Sequence, residues 1–304
     1  MGFSEINTDA VRTYRLIHQT DENNFGDLMT IDPSSLPDFD IMLGGFPCQT
    51  FSIMGKRMGL SDNRGLVFEG LAKILAAKKP ASFMLENVKG LLSHDDGRTF
   101  QIIFETLIAA GYRVGFDVLK SSDFGIPQMR ERCFLVGFRD PDVKFSFCEV
   151  VGKPHRPPSQ FLIDSSAEHE LDLGSQRGKT FLRYLLNDYN RGRIGVEDIL
   201  SEEGLIVDTR QSDIRLYRSS VPTLRTGRHG IMYVRNGRLR SLSGFEAMLL
   251  QGFPVTYAAS ASKEIPNSKL LAQAGNAMTV DVVEAIARPM LTRLGCSVQS
   301  ALTV

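Results

Sequence analysis

Three short apolar runs constrain this chain more than anything else in it: Phe39-Asp40-Ile41-Met42-Leu43, Ser82-Phe83-Met84-Leu85 and Cys133-Phe134-Leu135-Val136-Gly137. Each has the length of a strand buried on both faces, whereas helices show longer patterns with a 3.6-residue period. Helical patterns lie between and around them, over Asp9–His18, Leu66–Ala77, Arg98–Ala110 and, near the end, Thr279–Leu294. Strands alternating with helices predict an α/β sheet with helical layers. In such sheets chemistry collects beyond the carboxyl ends of strands. The first run releases into Gly44-Gly45-Phe46-Pro47-Cys48-Gln49 and the second into Glu86-Asn87-Val88, while Gln128-Met129-Arg130-Glu131-Arg132 leads into the third. A thiol and a carboxyl group therefore stand at two strand ends, and two arginines at the start of another.

Each motif alone also has a structural reading. A single Cys is usually a small buried hydrophobe, because a nucleophile needs partners and a lowered pKa. Glu86-Asn87 is able to cap a following helix, and Arg130 and Arg132 to pair with Glu131. Their combination is the specific signal. Taken in order, Pro-Cys-Gln, Glu-Asn-Val, Gln-x-Arg-x-Arg and the later Gly275-Asn276-Ala277-Met278 resemble the DNA cytosine-5 methyltransferase family, and the likeness spans nearly the whole chain.

The resemblance implies a Rossmann-like sheet that binds S-adenosyl-L-methionine, with a smaller target-recognition domain. It divides the chain into a catalytic domain (1–140), a recognition domain (141–241) and a segment returning to the first domain (242–304). It implies Cys48 as nucleophile, Glu86 as the carboxyl that activates the ring, Arg132 on the cytosine O2 and Arg130 in support. Glu5, Ile6, Asp27, Leu28, Pro47 and Asn276 would hold the cofactor. Gln49, Ser52, Met54 and Arg64 in the Gly-rich loop, with Thr223, Arg225 and Arg228, would contact double-stranded DNA around a flipped-out base. No metal is implied. The role is that of a restriction-modification enzyme.

Length and charge bound these expectations. The chain has 304 residues, enough for one large and one small domain. Lys+Arg and Asp+Glu are 35 each, so net charge does not announce a nucleic-acid partner. The stretch from Arg210 to Arg240 does: it holds Arg210, Arg215, Arg218, Arg225, Arg228, Arg235, Arg238 and Arg240, with Asp213 its sole acid. Arginines without local acids are expected to form a phosphate-binding surface. The four cysteines are widely spaced, which points to reduced thiols. No apolar run reaches membrane-spanning length, so a cytoplasmic enzyme without membrane contact is expected.

One departure from the family pattern stands out. Only four residues precede Glu5, leaving no room in this sequence for the strand and glycine-rich turn that should come before a ribose-binding acid. The expectation is a methyltransferase sheet lacking its first strand, either because the sequence is shortened or because a second chain supplies that strand and turn. The alternative is a truncated, inactive DNA-binding relic or one part of a split enzyme.

Overall fold

A computed structural model of the chain describes residues 1–47, 66–188, 190, 192–210, 213–227 and 230–296. The first half contributes strands β1 (Gly2–Phe3), β2 (Asn23–Asn24), β3 (Ile41–Gly45), β4 (Ser82–Val88), β5 (Arg113–Lys120) and β6 (Glu131–Phe138). Helices α1 (Thr8–His18), α2 (Leu66–Lys78) and α3 (Arg98–Ala109) lie between them. Four strands form one sheet in the order β3-β4-β6-β5, with β3 and β4 parallel and β6 antiparallel to both its neighbours.

The period-2 alternation of β4 explains how this sheet is covered. Phe83 and Leu85 point into a cluster with Leu71 and Leu75 of α2 and Ile103 and Leu107 of α3. Met84 points the other way, toward Val282, Ile286 and Met290. Those three lie on α9 (Val280–Arg293), so the last helix closes the second face. Of the runs read as doubly buried strands, β4 is one, with every residue from Ser82 to Asn87 buried, whereas β3 is not, its residues being half-buried or exposed. The result is a three-layer α/β/α sandwich, with the carboxyl end of its most buried strand delivering Glu86.

β1 and β2 pair parallel to each other as a separate ribbon, through Gly2↔Asn23 and Phe3↔Asn24. Among the described residues no strand pairs with the outer edge of β3, and Leu43 in that strand is 58% exposed. An exposed Leu in mid-strand is uncommon where β-strands are packed on both sides.

The segment from 141 to 241 begins with irregular chain and short turns, then contributes α4 (Gln176–Leu185) and α5 (Val196–Ser201). Strands β7 (Ile206–Arg210), β8 (Asp213–Tyr217), β9 (Ile231–Arg235) and β10 (Arg238–Ser241) follow. They build an antiparallel sheet in the order β10-β9-β7-β8. Phe181 and Leu185 of α4 and Ile199 of α5 pack on Val207, Met232 and Val234 of that sheet. Three helices then lead back: α6 (Gly244–Leu249), α7 (Val255–Glu264) and α8 (Asn267–Asn276). Ser243 caps α6 with Glu246 returning the bond, the reciprocal arrangement that the Ser-x-x-Glu spacing encodes.

Candidate active site

The site is made by the antiparallel pairing of β4 and β6. In the register Glu86↔Phe134 and Val88↔Arg132, the start of β6 lies beside the carboxyl end of β4. A parallel β6 would have carried its leading arginines to the far side of the sheet. Arg132 Nε instead sits 2.9 Å from Glu86 Oε1, and Arg130 Nη2 is 3.8 Å from the same oxygen. Glu131, between them, turns outward and pairs with Lys89, so it does not neutralise either arginine.

Glu86 and Arg130 are buried and Arg132 is half-buried, and burial governs their protonation. It raises the Glu86 carboxyl above its ordinary value, against the pull of Arg132 and then Arg130. Burial likewise pushes Arg130 down to about 10, with Arg132 adding repulsion and Glu86 opposing both. Arg132 is lowered by burial against the attraction of Glu86, and the Arg225 guanidinium lowers it further. Arg225 is therefore close to the site, and it pairs with no acid among the described residues.

The next residue reaches across the sheet. Asn87 Nδ2 donates to the Phe46 carbonyl at 3.0 Å, tying the end of β4 to the chain just past β3. Gly45 is the register partner of Glu86. A Cβ on Gly45 would lie 3.6 Å from Glu86 Oε2 and 3.5 Å from the Met278 methyl, so a larger side chain would crowd the carboxyl. Pro47 is exposed immediately beyond.

Arg130 is a knot. Its Nη1 donates to the carbonyls of Leu224 and Gly275 at 3.3 and 3.2 Å, and its Nη2 donates to that of Ala277 at 2.8 Å. Gln128 does similar work: Nε2 donates to Leu250 O at 2.7 Å, and Oε1 accepts from Leu224 N at 3.1 Å. Thr223 Oγ1 donates to Met129 O, and Thr226 Oγ1 donates to Asn276 Oδ1. A Cβ on Gly275 would come within 2.4 Å of the Arg225–Thr226 backbone, so only glycine permits this approach. The stretch 223–226 is thereby laced to the chain just ahead of β6, which carries Arg130, and to the end of α8.

A second constellation forms at the ends of β1 and β2. The Asn24 side chain accepts from Glu5 N and Gly26 N, both at 3.0 Å, and donates to Glu5 O at 2.9 Å. It holds Glu5 and the Gly26-Asp27 turn side by side. Glu5 Oε1 accepts from Asn7 N at 2.7 Å and Asp27 Oδ1 from Met29 N at 3.0 Å, leaving one oxygen of each carboxylate without these turn contacts. Ile6 is 74% exposed. Two carboxylates with an uncovered apolar side chain suit a ligand that has hydroxyls and a flat apolar face. Leu28 does not join them; its side chain packs on α2 at Gly70, within the core.

The family model for C-5 cytosine-specific DNA methylases matches residues 1–292. The chain belongs to that family. It is 41% identical over 268 residues to the Type II methyltransferase M.NgoBI of Neisseria gonorrhoeae, covering 87% of this chain and 78% of that one. It is 38% identical over 273 residues to M.HaeII of Haemophilus aegyptius, covering 90% and 80%. The solved structure of S. pombe Dnmt2 methyltransferase superposes with a TM-score of 0.71 at 18% identity, over 96% of this chain and 90% of that one. The fold is accordingly that of an S-adenosylmethionine-dependent methyltransferase.

Of the family positions singled out in the sequence, the structure brings Glu86, Arg130 and Arg132 together. Thr223 and Arg225 stand beside them, and Asn276 is held by Thr226. Glu5, Ile6 and Asp27 form the separate group. Cys48, Gln49, Ser52, Met54, Arg64 and Arg228 lie outside the described residues.

The arginine-rich stretch needs correction. Arg218 makes a two-bonded pair with Glu202, Arg238 and Arg240 both pair with Glu170, and Arg235 donates to Asp164 O. Arg240 is only 3% exposed. Glu202 and Glu170, which neutralise Arg218, Arg238 and Arg240, come from elsewhere in the chain, so the stretch as a whole is not an unpaired basic face.

Asn87, Asn24, Gln128 and Thr226 were not foreseen as site-builders. Asn87 and Gln128 lie inside recognised motifs, but their partners are 41 and 122 residues away in sequence. Arg130→Lys tests the knot. A lysine cannot present the same planar fork, and each buried carbonyl left unpaired costs about 1–3 kcal/mol. The variant should lose at least that much stability in urea denaturation; an unchanged midpoint would mean the three carbonyls are satisfied without Arg130.

Proposed function

We propose that this chain transfers a methyl group from S-adenosyl-L-methionine to C5 of a cytosine flipped out of duplex DNA, as the modification enzyme of a restriction-modification system. The observation that carries this reading is the pair of buried Glu86 and half-buried Arg132 joined, through Asn87, to the chain segment that leads into Cys48. C5 of cytosine is a poor nucleophile. Addition of the Cys48 thiolate to C6 turns C5 into an enamine carbon able to attack an electrophilic methyl group, and loss of the C5 proton with departure of the thiolate then restores the ring. Addition places negative charge on the ring, which a protonated Glu86 meets by donating at N3 while its other oxygen accepts from the exocyclic amine. The raised Glu86 pKa favours that protonated form. Arg132 faces the O2 side of the same ring.

The cofactor supplies the methyl group as a sulfonium. Glu5 and Asp27 suit its ribose hydroxyls and adenine amine, and Ile6 offers an uncovered apolar surface to the adenine ring. Pro47 and Asn276 are assigned to the same cofactor, while for Leu28 only the backbone is left to contribute. Duplex DNA must give up one stacked base at a cost of roughly a few kcal/mol. Thr223, Arg225 and Arg228 are assigned to its backbone, with Gln49, Ser52, Met54 and Arg64 on the target side. Residues 141–241 act as the recognition domain between a catalytic domain (1–140) and the returning segment (242–304). The enzyme works in the cytoplasm; among the described residues no helix is long and apolar enough to cross a membrane.

A second reading is favoured by the open edge of β3 and its exposed Leu43. A further parallel strand with a glycine turn, provided by a second chain, would complete the sheet and the cofactor site. Without it the chain would act as an inactive DNA-binding relic.

Three outcomes test these readings. Cys48→Ser should abolish methylation and leave DNA binding within a few-fold, and only the parent should be trapped on 5-fluorocytosine duplex with cofactor. Trapping that persists in the Ser variant would remove Cys48 from the mechanism. The methylation rate of the parent should fall as pH rises through the raised Glu86 pKa, since the protonated carboxyl is the active form. Glu86→Gln should keep partial activity without that limb, and Glu86→Ala should lose far more; full activity in both would make Glu86 structural. Finally, an added strand and glycine turn should raise both the melting temperature and the calorimetric affinity for S-adenosylmethionine. Cooperative melting and micromolar cofactor binding by the 304-residue chain alone would refute the need for it.

A further inference from the structure

Beside the second sheet, where Glu170 neutralises Arg238 and Arg240, α4 carries further positive charge. That helix carries Arg177, Lys179 and Arg183 and no acid, and none of the three pairs with an acid among the described residues. All three are exposed. Between α4 and the sheet runs a cleft of about 190 Å³, lined by Gln176, Arg177, Thr180 and Tyr184 of the helix and by Thr209 and Gly230 at the ends of β7 and β9. The side chains of Gln176, Arg177, Thr180, Tyr184 and Thr209 carry hydrogen-bonding groups suited to base edges, while Leu171, Phe181 and Met232 supply the apolar part of the lining.

The position of the cleft matters as much as its lining. Gly230 is four residues beyond Thr226, whose hydroxyl donates to Asn276 at the active-site seam. Four residues span at most ~14 Å of chain, so this end of the sheet adjoins the site where the base would be taken. Resting on the reading of the chain as a DNA cytosine methyltransferase, we propose that this cleft reads base edges in the duplex flanking the target, and that Arg177 holds a guanine. Among the described residues Arg177 is the only cation lining the cleft, and a guanidinium matches the paired O6 and N7 acceptors of guanine. Its Nη2 donates to Ser241 Oγ at 2.9 Å, which fixes the head and leaves further N–H donors for a base. Lys179 does not line the cleft and is assigned to backbone phosphate.

The test uses the 304-residue chain and a duplex library randomised around one cytosine, with bound molecules selected and sequenced. For Arg177→Ala, discrimination for guanine at one position should fall roughly 5- to 150-fold, with other positions retained. Lys179→Ala should weaken all sequences alike and reduce the salt slope of binding by about one. Arg177 is exposed and gives up one hydrogen bond, to Ser241 Oγ, so the variant's melting temperature should stay within a few degrees of the parent's. Unaltered base preference in Arg177→Ala, or uniform weakening like that of Lys179→Ala, overturns the assignment. A parent that selects no sequence at all, yet binds duplex, overturns the sequence-specific modification reading beneath it.

Discussion

The antiparallel pairing of β4 with β6 is the constraint on which the site depends. A carboxyl at the end of one strand and arginines at the beginning of another meet only if the second strand runs backward. The ladder from Ser82↔Phe138 to Val88↔Arg132 fixes that meeting over its whole length. Slipping the register by one residue would turn Arg132 to the opposite face. The apolar alternation that buries Phe83 and Leu85 on one side and Met84 on the other therefore also sets the chemistry at the end of the strand. Core packing and site geometry are one specification here.

Much of this was legible in the sequence, and the reasons are physical. Buried strands announce themselves by unbroken apolar runs, and Ser243-x-x-Glu246 encodes its helix start locally. Helix limits fell within a residue or two, as for α3 and α9. What stayed hidden was non-local. Arginines with no neighbouring acid in sequence found Glu170 and Glu202 in space, so a charge run read along the chain misjudged the surface it makes. The direction of β6 was hidden too, because an apolar run has no arrow. Leu28 looked like a ligand contact by motif, yet its side chain was claimed by α2.

The polar residues that assemble the site follow a common pattern. Asn24, Asn87, Gln128 and Arg130 each spend a side chain on backbone groups of a distant segment. Such bonds hold loops in place without committing their side chains, which remain available for a ligand. Buried amides and guanidinium groups with all these partners cost little, whereas removing one leaves carbonyls stranded in a low-dielectric interior. The stretch 223–226 is held this way on two sides, so the second sheet and the carboxyl pocket share a rigid seam.

The bond from Asn87 to Phe46 has a mechanical consequence. A chain anchored at one point behaves as a tether, and the reach of each residue grows with its distance from the anchor. Cys48 is two residues past Phe46, so its Cα stays within ~7 Å of the anchor in any conformation. The hydrogen bond to Asn87 thereby sets where the chain leaves the sheet, one residue from the strand position that delivers Glu86.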